Sequence, residues 1–466
     1  MENQTDLIII GGGPAGLAAA CSASSCGLEV AVVDEQSSPG GQLFRNIETP
    51  LGQSLLDDGD RQRGLELVRN FRAAKIKYYP DTVVWGVEPN RVSCTDKDGA
   101  RLLHGACVVI APGAMERPVP FPGWTLPGVI TAGGADILLR SGGTLTRESS
   151  DPVVLAGNGP LLLLVACHLL DNGVNIAAWL DTGCWPKRFA GGAFMSWSFL
   201  DAGYMSKGKA MAKKILGGKI PFVTGVKQIR AAGDTRVERV VYEKGGKRHE
   251  IDAACLLRHE GVIPRTHILR SMGALHRWDK VQRYWYPVTD DFGATSIDGI
   301  YLAGDANYVH GGDASIIKGT LAGIDVARKI GVITKGEAAF RSEKHLKQLR
   351  RIRIARSFLR YMFAPHPDIF GVPDETIVCR CESVTAKDIR KIAKEGNRDV
   401  NEVKLHTRCG MGPCQGRMCG TPLAEIVAAA QSTTPDKVGN LHIRQPFRPV
   451  SLENYCRVYT EEPADT

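Results

Sequence analysis

Residues 6–42, DLIIIGGGPAGLAAACSASSCGLEVAVVDEQSSPGGQ, decide the fold of this chain of 466 residues. The apolar run at 7–10 is typical of a buried strand, and a glycine-rich turn, a helical stretch and a second apolar run at 30–33 follow it. Strand, glycine turn, helix and strand in this order form the unit that binds dinucleotides. The alternative is a glycine-rich turn between a strand and a helix that binds no ligand.

The turn has the G-x-G-x-x-G spacing of a phosphate-binding loop, with Pro14 and Ala15 between its last two motif glycines. Gly11 permits the tight turn, Gly13 lets a pyrophosphate contact the backbone, and Gly16 lets the helix pack against the strand. The helix N-terminus then offers free N–H groups and the positive end of its dipole to the phosphates.

Two carboxylates follow the second apolar run, and either can accept the ribose hydroxyls of a dinucleotide. Counting from the first glycine motif favours Asp34, whereas counting back from the next glycine pair favours Glu35, so both stay candidates. The second glycine of that pair, Gly41, and the adjacent Gln42 are expected to lie close to the ADP half.

Composition excludes several classes of protein. The chain is too long for one ordinary core, so two to four domains are expected. The formal net charge of +8 is mild, and no basic run carries interleaved aromatic residues, so nucleic acid is not an expected partner. The basic cluster at 344–356 is predicted to be the exposed side of a helix.

The N-terminus lacks a secretory n-region and no apolar run approaches the roughly 18 residues of a membrane span, so a cytoplasmic protein is expected.

Two later strand ends complete the predicted flavin site. Residues 106–114 predict a strand that closes in Ala111-Pro112-Gly113, a variant of the A-T-G turn by which the chain leaves a flavin domain. Residues 295–305 predict a strand that ends in Gly304 and Asp305, just before a helical stretch.

The aspartate at that strand end has two interpretations. Asp305 can accept a hydrogen bond from a flavin's ribityl hydroxyl, while the next helix directs its N-terminus towards the ring. The alternative is an ordinary N-cap aspartate.

A second glycine turn at residues 153–162, VVLAGNGPLL, predicts another nucleotide-binding unit. Gly157 and Gly159 are in place, but Leu162 holds the third glycine position, where it separates helix from strand. The following strand ends near Asp181, and no arginine cluster for a 2′-phosphate follows. The pattern therefore favours a structurally held adenine nucleotide or an empty vestigial fold over NAD(P)H binding.

Five of the thirteen cysteines fall between residues 379 and 419, which indicates a metal site in a reducing compartment rather than a disulfide scaffold. Four thiolates suit zinc or a 2Fe–2S cluster, and the C-x-C spacing at 379–381 favours 2Fe–2S over zinc. Between the cysteine groups, Thr385 and Asp388 predict a short capped helix.

The order of the nucleotide motifs resembles the glutathione and thioredoxin reductases over residues 5–335. This resemblance implies an α/β fold with two nested dinucleotide-binding domains. Those reductases carry a redox-active cysteine pair beside the flavin, whereas here Cys21 and Cys26 fall on the first helix and are interpreted as packing residues. A disulfide reductase is therefore not expected.

The segments VCRCESVTAKDIR at 378–390 and TRCGMGPCQGRMCG at 407–420 resemble the 2Fe–2S domain of bacterioferritin-associated ferredoxins. That resemblance implies a small α-rich domain in which Cys379, Cys381, Cys414 and Cys419 hold the cluster and Cys409 does not. The second pair is spaced C-x4-C here, where that family has C-x2-C.

The whole chain, including VVDEQSSPGGQLFR and GAMERPVPFPGWTLPGVITAGGAD, resembles the large flavoprotein subunit of opine oxidases, and related subunits of hydrogen cyanide synthase and of proline and hydroxyproline dehydrogenases. The resemblance implies that a partner subunit of the D-amino-acid-oxidase fold oxidises a C–N bond. This subunit then passes electrons through FAD and the 2Fe–2S cluster to the respiratory quinone or another acceptor. It also implies FMN at a subunit interface, an ATP-like adenine nucleotide in the second domain, a small third subunit, and peripheral contact with the inner face of the cytoplasmic membrane.

Two other hypotheses remain: a stand-alone NAD(P)H-dependent ferredoxin-type reductase, and an iron or redox sensor whose cysteine domain binds zinc or a partner. The predicted domains are an FAD-binding domain at 1–120 and 285–335, a second nucleotide-binding-like domain at 121–284, linker helices at 336–373, a cysteine domain at 374–430 and a tail at 431–466.

Overall fold

The computed structural model describes residues 4–192, 195–396 and 398–460, so the first three and last six residues of the predicted domains lie outside the described residues. Its strands are β1 (Gln4–Ile10), β2 (Val30–Val33), β3 (Ile76–Tyr79), β4 (Val83–Glu88), β5 (Arg91–Asp96), β6 (Gly99–Ile110), β7 (Ala114–Glu116), β8 (Val129–Thr131), β9 (Val153–Gly157), β10 (Ile176–Asp181), β11 (Phe222–Val223), β12 (Val226–Ala232), β13 (Arg239–Lys244), β14 (Lys247–Asp252), β15 (Cys255–His259), β16 (Val262–Pro264), β17 (His276–Asp279), β18 (Tyr284–Pro287), β19 (Ile300–Leu302), β20 (Ile377–Cys379) and β21 (Val384–Thr385). Its α-helices are α1 (Pro14–Ser25), α2 (Pro50–Ser54), α3 (Asp58–Ala73), α4 (Ala132–Arg140), α5 (Pro160–Asp171), α6 (Trp185–Gly192), α7 (Ala202–Gly217), α8 (His267–Ser271), α9 (Gly312–Ile330), α10 (Lys335–Ala355), α11 (Ser357–Met362), α12 (Ala386–Lys394), α13 (Val400–Thr407), α14 (Gly420–Ala430), α15 (Pro435–Val438) and α16 (Leu452–Thr460).

The first sheet brings the predicted flavin-binding segments to one edge. Strands β3, β2, β1 and β6 lie side by side and parallel, and β19 is a further parallel neighbour of β6. Ile10 is in register with Val33 and Ile110, and Ile110 is in register with Leu302. Because these strands end together, the turns that follow them meet at the carboxyl edge of the sheet, where α/β proteins bind ligands.

Helices α1 and α9 contact each other backbone to backbone beneath that edge. A Cβ on Gly319 would lie 2.0 Å from the carbonyl oxygen of Ala15, and one on Gly323 would lie 2.6 Å from that of Ala19. Only glycine permits this close approach. The contact fixes the N-terminus of α9 beside the first glycine turn.

The second domain is built on a parallel sheet with the order β11-β10-β9-β15-β8, which confirms the prediction of two α/β units. Helices α4 and α5 cover one face of this sheet, and the antiparallel strands β12 to β14 cover the other. The antiparallel pair of β7 and β16 joins the chain where it leaves the first domain to the chain where it returns.

The cysteine domain packs directly on the first sheet. Its α12 begins with the predicted capping box, in which Thr385 and Asp388 exchange side-chain and backbone hydrogen bonds. Cys379, Cys409 and Cys419 belong to the same apolar core as β1 residues Ile8 and Ile10. The C-terminal segment continues across this surface, because the Gln445 side-chain amide bonds the backbone N–H and C=O of Val87 on the edge strand β4.

Helix α10 has the exposed basic side that the 344–356 cluster predicts, although Arg356, which follows the last residue of the helix, is buried. Within the described part of the chain, the helices are all too short or too polar to cross a bilayer.

Candidate functional site

The glycine turn after β1 has the backbone geometry that its spacing predicts. Gly11 has φ +109°, and a Cβ there would lie 2.4 Å from the carbonyl oxygen of Ala111. A Cβ on Gly16 would lie 1.8 Å from the carbonyl oxygen of Gly11. Gly13 differs, because its Cβ would have only Gly41 nearby, with the Cα at 3.8 Å. The space above Gly13 is therefore open to a ligand, and no side chain caps the helix end that begins there.

The two carboxylates at the end of β2 have different surroundings. Asp34 is buried against the turn, where a Cβ on Gly12 would lie 2.3 Å from its Oδ2. Burial raises the pKa of Asp34 to about 6, and its Oδ2 has no hydrogen-bond partner. Glu35 instead points outward and accepts a hydrogen bond of 2.6 Å from Arg448. Arg265 lies 3.9 Å away on the other carboxylate oxygen.

The loop after β19 is organised by Asp305. Its carboxylate accepts hydrogen bonds from the backbone N–H of His310 at 2.9 Å and of Gly311 at 3.1 Å. Asp305 is therefore not an ordinary N-cap aspartate, because Gly311 holds the N-cap position of α9 and no side chain caps that helix. The ribityl contact of Asp305 and the roles of Gly304, Ala111, Gly113, and Gln42 stay predictions.

Lys318, a buried cation on α9 directly beneath this loop, was not predicted from the sequence. Its Nζ donates to the carbonyl oxygens of Gly304 at 3.0 Å and Tyr308 at 2.8 Å, and lies 3.3 Å from His310 Nδ1. Burial lowers the pKa of Lys318 to about 8. The only local signal is a lysine in the otherwise apolar stretch SIIKGTLAGI.

A cavity of about 670 Å³ lies beside the loop and reaches the second domain. Lys318 and Tyr308 line it from the first domain, Gly159 from the second, and Tyr284 and Tyr286 from β18. The rings of Tyr286 and Tyr308 are 4.4 Å apart between centroids. A volume of this size is within the usual range for cofactor and ligand pockets.

The glycine turn and Asp34 fit the ADP half of FAD, whereas none of the predicted FAD-binding residues lines the neighbouring cavity. The open backbone at Gly13 and the uncapped start of α1 suit a pyrophosphate. The unpartnered Oδ2 of Asp34 is a buried acceptor without a donor, which a ribose hydroxyl would supply. The tyrosine-lined cavity provides an aromatic surface for a flat ring.

In the second domain, His259 fills the space beside the glycine turn. A Cβ on Gly157 would lie 1.7 Å from the carbonyl oxygen of His259, and one on Gly159 would lie 2.8 Å from its Nε2. His259 is buried, and its Nδ1 lies 2.6 Å from a carboxylate oxygen of Glu116. Leu162, at the third glycine position, is fully buried in the core between sheet and helices.

The acidic residue at the end of β10 already has a cationic partner. Arg188 of α6 donates to both carboxylate oxygens of Asp181, at 2.6 and 2.8 Å, and to the Asn158 side chain at 3.0 Å. This arginine was not predicted from the sequence, because it lies seven positions after Asp181 and only the fold of helix α6 places its side chain against that carboxylate.

Three cysteine thiols converge in the C-terminal domain. The sulfur atoms of Cys379, Cys409 and Cys419 lie within 4.8 Å of one another, and all three residues are buried. Hydrogen bonds from the other two thiols lower the pKa of Cys379 to about 2. Cys409, which the predicted ligand set omits, is thus one of the three clustered thiols.

The other two predicted ligands, Cys381 and Cys414, lie next to each other nearer the surface. The thiol and backbone of Cys414 both contact the Cys381 side chain. A Cβ on Gly412 would lie 2.2 Å from that of Cys381, so glycine is required for the loop to pass. Five thiols in one region provide the soft ligands that iron–sulfur clusters and zinc need, and the predicted set of four stays a prediction.

Comparisons with known proteins agree with this architecture. Residues 5–331 match the pyridine nucleotide-disulphide oxidoreductase family, and residues 374–456 match the sarcosine oxidase A3 domain. The structure of L-proline dehydrogenase from P. horikoshii superposes with a TM-score of 0.71 at 22% identity, covering 97% of this chain and 79% of that one. The thioredoxin reductase of T. acidophilum gives a TM-score of 0.51 at 18% identity, over 70% of this chain and 99% of that one.

Curated relatives match along nearly the full length and confirm the resemblance inferred from the motifs. An opine oxidase subunit of Rhizobium meliloti is 38% identical over 97% of this chain and 87% of its own length. Hydrogen cyanide synthase subunit HcnB of Pseudomonas aeruginosa is 31% identical over 97% of this chain and 99% of its own length.

Proposed function

Because this chain belongs to the pyridine nucleotide-disulphide oxidoreductase family and is an oxidoreductase, we propose that it is the electron-transferring flavoprotein subunit of a heteromeric dehydrogenase acting on C–N donors. Its relatives of similar length are named as subunits of opine oxidase and of hydrogen cyanide synthase. A partner subunit of the D-amino-acid-oxidase fold then oxidises the amine or imino acid, and this chain receives the electrons.

The first domain binds FAD in this proposal. Backbone N–H groups at Gly13 and the start of α1 hold the pyrophosphate, and Asp34 accepts a ribose hydroxyl. Asp305 keeps the loop before α9 in place and is the expected partner of the ribityl chain. The bound flavin supplies a two-electron acceptor that can also release electrons singly.

Lys318 places a positive charge beneath this site. Its Nζ donates to the Gly304 carbonyl oxygen and the residue is buried apart from its side towards the cavity, so water screens its charge only weakly. A fixed cation at this position stabilises negative charge on a ligand in the adjoining cavity. The tyrosines of the cavity wall exclude water and orient a flat ring.

The cysteine domain holds a 2Fe–2S cluster through Cys379, Cys381, Cys414 and Cys419. Such a cluster supplies one-electron transfer when it is bound. The glycines at 410, 412 and 416 allow the loop to wrap the thiols closely. The second domain does not bind NAD(P)H in this proposal, since Arg188 occupies the acidic strand end that its ribose would need; an ATP-like adenine nucleotide there rests on the family resemblance alone.

The observation that carries the proposal is the shared core of the two sites. Buried thiols of the cysteine domain and apolar residues of β1, the strand that leads to the glycine turn, pack in one continuous cluster. One continuous core therefore joins the flavin cradle to the thiol cluster, which is the arrangement that an electron-transferring subunit requires.

The test is purification of the tagged full-length chain from cells that express its neighbouring genes. We expect FAD, iron and sulfide in the protein, and a co-purified flavoprotein chain identified by mass spectrometry. Amines such as opines, proline or sarcosine should then bleach the flavin in the complex, whereas NADH and NADPH should not. Bleaching of the isolated chain by NADPH would instead identify a stand-alone reductase, and zinc in place of iron would identify a sensor.

A further inference from the structure

A second concave surface, of about 560 Å³, lies beside the cysteine loop. Helix α13, residues 410–415 and residues 441–444 form its wall. Its cationic side chains are Lys404, Arg408 and Arg444, and His442 adds a group that can become cationic. Of the described residues, those that line this surface include no aspartate or glutamate.

The positive charge of this wall is only partly compensated. Arg408 donates to a Glu382 carboxylate oxygen at 2.8 Å, outside the pocket. Lys404 donates to the backbone carbonyl of His442 at 3.2 Å, a neutral acceptor. Three cations thus share this wall. Burial first, and then the charges of Arg444 and Arg270, lower the pKa of Lys404. An anion is the ligand that relieves this crowding.

Besides the cations and the amides Asn401 and Gln415, the pocket has an apolar floor. Leu441 and Ile443 are buried at its floor, and Leu405 and Met411 are 70% and 37% exposed at its rim. An apolar floor with a few charged groups is the usual composition of a pocket that binds a small molecule.

Gly410 lies between this pocket and the thiol cluster. Gly410 lines the pocket, and a Cβ on it would lie 3.8 Å from the Cys419 sulfur. Its φ of +90° favours glycine at this position. Cys409, the preceding residue, is itself one of the three clustered thiols.

We propose that this pocket admits a small anionic one-electron acceptor to the group held by the cysteine thiolates. The inference rests on the proposed function, which it deepens by naming the chemical class of the acceptor at this chain. A cluster held by these thiolates would supply the single electron, and Lys404 and Arg444 would hold the acceptor that takes it up. No bond forms or breaks, and no proton moves.

Anion binding is tested first, without any redox step. Hexacyanocobaltate(III) is a redox-inert anion with the size and charge of ferricyanide, and calorimetry measures its dissociation constant for the full-length chain. We expect Arg444→Glu combined with Lys404→Gln to weaken binding by about tenfold or more, equivalent to about 1.4 kcal/mol. Lys391→Glu, an exposed charge change on α12 of the same domain, is the matched control and should leave binding unchanged.

Electron transfer is tested with two acceptors of opposite charge. After anaerobic reduction of the protein by dithionite, stopped-flow mixing measures the reduction of ferricyanide and of hexaammineruthenium(III). The pocket variants should slow reduction of the anion and not of the cation, and added salt should reduce the difference.

The outcomes separate this inference from the proposed function. If the wild-type protein does not bind hexacyanocobaltate, or if the variants bind it as tightly as the wild type, the proposed anion site is wrong. If Arg444→Glu alone is the only variant that folds, its weaker binding relative to Lys391→Glu carries the same conclusion. Protein without iron that still binds the anion through Arg444 contradicts the proposed function and retains the anion site.

Discussion

Arg188 donates to both carboxylate oxygens of Asp181, at 2.6 and 2.8 Å, where β10 ends in the second domain. An acidic residue at this strand end usually accepts the ribose hydroxyls of NAD. Here the carboxylate is buried and its oxygens already hold a guanidinium. The second domain thus keeps the fold of a dinucleotide-binding unit while an arginine of its own chain occupies the ribose-binding group.

Removal of Arg188 should destabilise the chain. Arg188→Ala leaves Asp181 buried without its cation, so the free energy of unfolding should fall by about 2–4 kcal/mol in urea denaturation. Asp181→Ala with Arg188→Ala should cost less than the sum of the single changes, because the pair is coupled. Arg248→Ala, which removes an arginine whose side chain is 73% exposed, is the control and should change stability by less than about 0.5 kcal/mol. An additive double variant would show that the pair is not coupled.

Asp34 should make the stability of the flavin-free chain depend on pH. Its pKa is raised to about 6 in the fold, against about 3.9 in an unfolded chain. At pH values between these two pKa values, the folded state binds one more proton than the unfolded state does. The stability of the fold therefore falls as pH rises from 4 to 7. Relative to Asp34→Asn, the wild-type chain should lose about 3 kcal/mol over this range in urea titrations. Equal pH dependence of the two proteins would contradict this.

Lys318 should make the stability of the flavin-free chain rise with pH in the alkaline range, the opposite of the effect of Asp34. Burial lowers its pKa to about 8, so between that value and about 10.4 the unfolded chain binds the extra proton. Stability should then rise with pH in this window relative to Lys318→Met, by about 3 kcal/mol at most. Denaturation curves at pH 7.5 to 10 measure the difference, and parallel curves for the two proteins would refute it. Flavin-free protein is used so that ligand binding does not contribute.

The parts of the fold that the sequence predicts are local. Gly16 requires glycine because a Cβ there would lie 1.8 Å from the carbonyl oxygen of Gly11, which is close in sequence, and the spacing alone records this. The capped helix at Thr385 is predicted for the same reason, since its hydrogen bonds span three residues.

The contacts that escaped prediction join distant parts of the chain. Glu35 and Arg448 are 413 residues apart, and no spacing indicates their ion pair. Lys318 has ordinary helical neighbours, and only the fold of the loop after β19 supplies its three partners. Cys409 was omitted because a family motif selected four of five cysteines, whereas the folded loop brings its sulfur towards Cys379.

The five cysteines give a direct test of the ligand set. Cys414→Ser should remove the visible absorbance and the iron of a 2Fe–2S cluster while bound FAD remains, because the flavin cradle is built from other elements. Cys409→Ser should keep the iron if the predicted set is correct, although its thiol is buried among the cluster. Iron and acid-labile sulfide analysis, with the flavin spectrum measured after protein denaturation, separates the two cofactors. Cys456→Ser, an exposed position on α16, controls for loss of a thiol alone.

The iron content of the variants shows whether Cys409 or Cys414 is a ligand of the cluster. Loss of iron in Cys409→Ser with full iron in Cys414→Ser would place Cys409 among the ligands and remove Cys414 from the set. Cys379→Ser and Cys419→Ser should lose iron in either case, because the predicted set and the buried thiol cluster share both residues. The double change Cys379→Ser with Cys419→Ser leaves three of the five cysteines of this region, so a protein that keeps its iron after this change does not hold a cluster through four of these thiolates.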